Sequence, residues 1–350
     1  MFSNIQMLRA LAAILVMMHH AEPHYRAMGG SFGFIEQIGR WGFTGVDIFF
    51  VISGFVIAHT TLTKERTAAN AGEFLKHRLL RIYLGYWPFL PLYLLIYQLT
   101  TPEKIATLDM FDSIFLTGTD MFKLAVPVAW SLSYEIYFYG LFLLSFLLPI
   151  SIARKAIGVV FVALLLKTTL APGAGGEAAA FLLSPYLLEF FAGAIVWMLM
   201  QRTANPWLIL VALLGAIFFY KTGIARGALN GSMRVFCFGS GAVCILVAAV
   251  LLEKNNIYRA GRVFTELGNA SYTIYLSHLA LLSLFYYSRL RDFLAAQPRP
   301  VAEAGFLAFL LAMLVASVLV YRYWERPLYR FACSIRIPSR RGSVSRPVSE

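Results

Sequence analysis

The segment Ile5-Gln6-Met7-Leu8-Arg9-Ala10-Leu11-Ala12-Ala13-Ile14-Leu15-Val16-Met17-Met18-His19-His20 decides how this chain is read. It is apolar along most of its length, yet it carries ionisable groups near both ends, and such groups at membrane depth are costly enough to point to function. At about 100° per residue, eleven positions return to within about 20° of the start, so Arg9 and His20 share one helix face roughly 16 Å apart. His19 then points elsewhere. One reading gives this face a cation near one membrane surface and a titratable imidazole near the other. The plainer reading lets Arg9 snorkel and leaves both histidines at an interface. The segment also imitates a secretory signal, but no small-residue cleavage pattern follows and further apolar runs do, so it reads as a retained helix.

Outward from this helix the same pattern repeats. With 59% hydrophobic and 14% charged residues among 350, the chain cannot fold as a soluble domain without leaving apolar surface in water. The expectation is an all-α, polytopic membrane bundle of about ten transmembrane helices. They fall near 5–22, 43–62, 83–99, 128–149, 152–170, 181–201, 207–221, 233–252, 270–288 and 303–324. Lys64, Arg66, Lys76, Arg78, Arg81, Arg154, Lys155 and the six arginines from Arg326 onward are part of a set that outweighs the loop set that includes Arg26, Arg40, Lys104, Lys123 and Arg234. Because cytoplasmic connections retain positive charge, both termini are expected in the cytoplasm.

The net charge of +12 is spread over short loops, which excludes a duplex-binding surface and suits membrane lipid instead; no nucleic acid partner is expected. Three cysteines, Cys237, Cys244 and Cys333, are too few for a disulfide framework or a metal cage and read as packing residues. From Cys333 the sequence turns polar and basic, so residues 1–332 form the membrane unit and 333–350 a disordered cytoplasmic tail.

Five constellations can carry chemistry. Gly45-Val46-Asp47-Ile48-Phe49-Phe50 places Asp47 about one turn into an apolar helix. There it either hydrogen-bonds His20 as the orienting acid of a general base or serves the helix as a cap or as a partner of Arg40. Arg78 and Arg81 lie three apart on one face. Paired guanidinium groups suit phosphate, while such a pair also serves as a topology signal. Ser131 and Glu135 are helical neighbours behind Trp130; Glu135 reads as a site acid or as a structural ion-pair member, and Trp130 as an interfacial anchor or a sugar-stacking ring. Ser271, Tyr275 and His278 make a polar stripe fit to line a cavity. Arg322 and Arg326 can extend a phosphate site, with Glu325 paired to one of them.

In order and spacing, these segments resemble the type 3 family of integral membrane acyltransferases, and within it the O-acetyltransferases of exopolysaccharides of the succinoglycan type. The matching residues are Arg9 with His20, Gly45–Phe55, Arg78-x-x-Arg81, Trp130-Ser131-Leu132-x-x-Glu135, Ser271-Tyr272-x-x-Tyr275-x-x-His278 and Glu325-Arg326-Pro327. The resemblance implies acyl-CoA, usually acetyl-CoA, as a donor substrate rather than a resident cofactor. It implies as acceptor a polysaccharide or lipid-linked oligosaccharide, and as location the bacterial cytoplasmic (inner) membrane. Exopolysaccharide assembly proteins are further expected partners. On this reading Arg9, Arg78 and Arg81 hold the cofactor phosphates, and His20 with Asp47 and Glu135 carries the chemistry, either as base or by first taking the acyl group. Trp130, Ser131, Tyr275 and His278 meet the substrate. A transporter or flippase of lipid-linked sugar is the rival: its arginines bind pyrophosphate and nothing is modified.

Overall fold

The computed structural model describes residues 2–29, 33–171 and 176–335; among these the regular structure is all helical, without strands. Along the chain run α1 (Ser3–Ala27), α2 (Gly33–Trp41), α3 (Gly45–Thr61), α4 (Ala68–Tyr86), α5 (Phe89–Thr100), α6 (Met110–Phe115), α7 (Trp130–Leu144), α8 (Ile150–Leu170) and α9 (Glu177–Leu182). The second half holds α10 (Tyr186–Met200), α11 (Trp207–Ala225), α12 (Gly231–Arg234), α13 (Ser240–Lys254), α14 (Arg262–Asn269), α15 (Ser271–Tyr286), α16 (Arg289–Ala295), α17 (Arg299–Val320) and α18 (Arg326–Ser334). By length and composition, six helical stretches can cross a membrane: Ile35–Thr61, Ala68–Thr100, Ala178–Met200, Trp207–Ala225, Gly231–Lys254 and Arg299–Ser334. The spans expected near 5–22, 128–149, 152–170 and 270–288 are helices as well, but α7 and α15 are only 15 and 16 residues long. α1 and α8 carry charged residues within or near their apolar runs.

Two expected boundaries move. The third span begins well before Tyr83, so Arg78 and Arg81 lie inside α4 rather than at its edge, and the helix breaks at Trp87–Pro88, where proline has no N–H to continue the ladder. The last span does not stop at Trp324. It passes through a π-helical turn, Tyr321–Glu325, into α18. Residues 336–350, most of the expected tail, lie outside the described residues.

The centre of the bundle is α1, α3, α10 and α15. α3 crosses α10 at Gly54 and Gly193, where a Cβ on Gly54 would meet the backbone carbonyl of Phe190 and one on Gly193 that of Val51. Only hydrogen at these positions lets the backbones approach so closely. Phe50 and Phe138 flank Phe190 at centroid distances of 4.6 and 4.5 Å and fill the space beside the crossing. α1 packs against α3, α14 and α15, which sets Arg9 and His20 against the polar face of α15.

Candidate active site

The structure places Arg9, Arg78, Arg81, Ser131, Glu135 and Tyr275 around one cavity and His20 at a second, at opposite ends of the same stretch of α1; Asp47, Trp130 and His278 line neither. The first, of about 80 Å³, is lined by Arg9, Ser53, Arg78, Arg81, Ser131, Glu135, Tyr139, Ser271 and Tyr275 together with apolar side chains of α3. Arg9 donates from Nε to Ser271 Oγ at 3.3 Å. Arg78 donates to Thr60 Oγ1 at 2.7 Å and lies over the rings of Phe74 and Tyr139, while Arg81 lies over Tyr272. Among the described residues no carboxylate forms an ion pair with any of the three arginines. Glu135 instead accepts hydrogen bonds from Ser53 Oγ at 2.6 Å and from Tyr139 OH at 2.5 Å. The cavity therefore presents guanidinium donors without a charge partner at contact distance, a setting for an anion.

The second cavity, about 690 Å³, is lined by His19, His20, Glu22, Pro23, His24, Arg26, Arg40 and Leu279. His20 Nδ1 is 2.9 Å from Val16 O and 3.1 Å from His278 Nε2; His278 is buried, and its Nδ1 is 3.2 Å from Ile274 O. The rings of His278 and Tyr275 lie 6.0 Å apart, and Tyr275 OH is 2.9 Å from Ser131 Oγ. A file of side chains, Ser131, Tyr275, His278 and His20, thus stands between the cavities. The Arg9–His20 face of α1 joins them as its eleven-residue spacing requires.

Several pairings differ from the sequence-based expectation. Asp47 does not hydrogen-bond His20. It is fully buried and receives Arg234 Nη2 at 2.8 Å and Arg234 Nε at 3.1 and 3.2 Å. Arg234, counted above among the topology charges, is itself only 6% exposed and also donates to Phe43 O. A buried carboxylate takes the partner that neutralises it, and guanidinium does so with two donors. Arg40 stands over Trp41 at the second cavity rather than beside Asp47. His19 does not point away from the site: it lines the same cavity as His20 and binds Gly39 O at 2.8 Å, tying α2 to α1. Trp130 lines neither cavity and packs with Phe50, Tyr134 and Tyr186. Glu325 pairs with neither Arg322 nor Arg326 among the described residues; it accepts a hydrogen bond from Thr273 Oγ1 of α15.

Three polar residues of the site went unread in the sequence. Tyr139 sits four residues after Glu135, at helical spacing. Ser53 is the lone hydroxyl in Val51-Ile52-Ser53-Gly54. Arg234 follows a Gly-Ser-Met loop that reads as a span end, and only the fold shows that it turns inward.

The family model described as an acyltransferase domain matches residues 2–322. The exopolysaccharide production protein ExoZ of Rhizobium meliloti (strain 1021) is 28% identical over 308 residues, 83% of this chain and 90% of that protein. The putative membrane-bound transacylase BcsY of Komagataeibacter xylinus is 27% identical over 348 residues, 92% of this chain and 82% of that protein. No solved structure matches. With a helical bundle of membrane-capable segments and a family match spanning both cavities, the chain belongs to the type 3 family of membrane acyltransferases.

Proposed function

We propose that this protein moves an acyl group, acetyl in the first instance, from cytoplasmic acyl-CoA to a hydroxyl of an exported polysaccharide or its lipid-linked precursor. The bundle would cross the bacterial inner membrane about ten times with both termini in the cytoplasm. The observation that carries the reading is the pair of cavities: one with Arg9, Arg78 and Arg81 for phosphate, one wide and bordered by His20, joined along α1. In this scheme Arg9, Arg78 and Arg81, which line the cavity of about 80 Å³, bind the cofactor's phosphates. His20 removes the proton of the acceptor hydroxyl as its oxygen attacks the thioester carbon. The C–S bond breaks, and the departing thiolate takes a proton from its own side. Asp47 then belongs to the scaffold that holds α3, and Glu135 to the wall of the donor cavity.

Incubation of the purified protein with acetyl-CoA and lipid-linked oligosaccharides, followed by mass spectrometry, tests the proposal. Acetylated sugar and free CoA are expected, and both are lost on His20→Ala. Movement of unmodified sugar across a vesicle membrane without CoA release would establish the flippase instead.

A further inference from the structure

His278 has a geometry that fixes where protons sit. Its Nδ1 faces Ile274 O at 3.2 Å, and His20 Nδ1 faces Val16 O at 2.9 Å. A carbonyl oxygen has no proton to give, so each of these ring nitrogens must be an N–H donor. Neutral His278 then carries its lone pair on Nε2, and that atom lies 3.1 Å from His20 Nδ1. The His20 Nδ1 proton is therefore shared between Val16 O and His278 Nε2. A proton on His278 Nε2 would set two N–H groups head to head in a buried site. The remaining His20 nitrogen, Nε2, has no hydrogen bond to the described protein residues and belongs to a ring that borders the wide cavity.

From this we infer that His278 is the positioning residue of the reaction: it accepts the His20 Nδ1 hydrogen bond and so presents His20 Nε2, with its lone pair, to the acceptor hydroxyl. The inference rests on His20 being the general base. It gives His278 the role that spacing had suggested for Asp47, with a neutral imidazole in place of a carboxylate. When His20 takes the hydroxyl proton on Nε2, the ring becomes an imidazolium and its Nδ1–H bond to His278 becomes charge-assisted and stronger. The proton later leaves from the same Nε2 to water, and no bond to carbon forms at either imidazole. Because the Nδ1 proton is held at two acceptors, His20 is kept from flipping to the tautomer whose free nitrogen faces Val16.

The test uses full-length protein in lipid nanodiscs and measures acyl transfer from acetyl-CoA. His278→Leu is expected to lower kcat about 100-fold, while KM for acetyl-CoA stays within about twofold because His278 does not line the donor cavity. His278→Gln, whose amide oxygen can accept from His20 Nδ1, is expected to recover about tenfold of that loss. Wild-type kcat in His278→Leu, or equal impairment of the two variants, would overturn the inference. Solid-state nitrogen NMR of histidine-labelled wild-type protein reads the tautomer without any substitution at 278; His20 protonated on Nε2 rather than Nδ1 would also overturn it. His20→Ala in the same assay separates the two levels. Full activity there removes His20 from the chemistry, whereas an inactive His20→Ala beside an unimpaired His278→Leu defeats only the positioning role.

Discussion

Residue by residue, the site divides cations by what balances them. Arg234 is balanced by Asp47 inside the fold, whereas Arg9, Arg78 and Arg81 have no carboxylate at contact distance. Losing one charged phosphate contact removes about 1.5–3 kcal/mol, so Arg78→Ala or Arg81→Ala should weaken acyl-CoA affinity about tenfold or more in a direct binding titration. Unchanged affinity would return these residues to topology signals. Asp47→Ala should behave differently, because it removes the carboxylate ion-paired with a buried guanidinium and should destabilise the fold by about 3–5 kcal/mol. The double variant Asp47→Leu with Arg234→Met removes both charges; folding and acyl transfer should return together. A folded but inactive double variant would put Asp47 back into the chemistry. The sequence singles out His20, Arg78 and Arg81, which the structure sets at the two cavities, because ionisable residues stand out in apolar helices. It left the partner of Asp47 illegible, since Asp47 and Arg234 are 187 residues apart and nothing local to either announces the other.

Among the elements, helix existence was readable from hydrophobic runs, but helix ends were not. Arg78 and Arg81 were read at the start of a span because they are charged, yet the helix continues through them to Tyr86, since their faces are covered by Phe74, Tyr139 and Tyr272. Two π-helical turns sit beside buried charges: Val235–Gly239 directly follows Arg234, and Tyr321–Glu325 ends on Glu325. A π turn inserts one residue and re-aims the side chains around it, an irregularity that recurs at functional sites and that hydrophobic periodicity does not reveal. The α3–α10 crossing offers a separate test. Gly54→Ala forces a methyl group against the Phe190 carbonyl, and overpacking of this kind should destabilise by about 1–3 kcal/mol. A lowered thermal midpoint in detergent, with unchanged acyl-CoA affinity in the protein that remains folded, is the expected result. A midpoint equal to wild type would show that the two helices can separate freely.

At the scale of the whole molecule, the proposed direction of transfer requires the donor cavity to open to the cytoplasm. Replacing Cys237, Cys244 and Cys333 permits single cysteines to report this. Glu65→Cys, in the connection before α4, should react with a membrane-impermeant thiol reagent only after lysis. Glu103→Cys, beyond α5, should react in cells with a permeabilised outer envelope. The reverse pattern would place Arg78 and Arg81 away from cytoplasmic acyl-CoA and end the proposed mechanism while leaving family membership intact.

The thin wall between the two cavities also has an electrical consequence. Where water enters a membrane protein from both faces, the transmembrane voltage falls mainly across the dry layer that remains; in the proposed arrangement that layer would be Tyr275, His278 and His20. One elementary charge crossing the full voltage changes energy by about 2.3 kcal/mol per 100 mV. A proton drawn onto His20 from the outer cavity would cross part of that drop, so an inside-negative potential should speed the step by about a few-fold per 100 mV. Proteoliposomes clamped by a potassium gradient would show it, and a rate indifferent to voltage would mean that His20 is wetted from both sides. The voltage would act on the rate of this step alone, because the proton later returns to the wide cavity from the same Nε2 and no net charge crosses on His20.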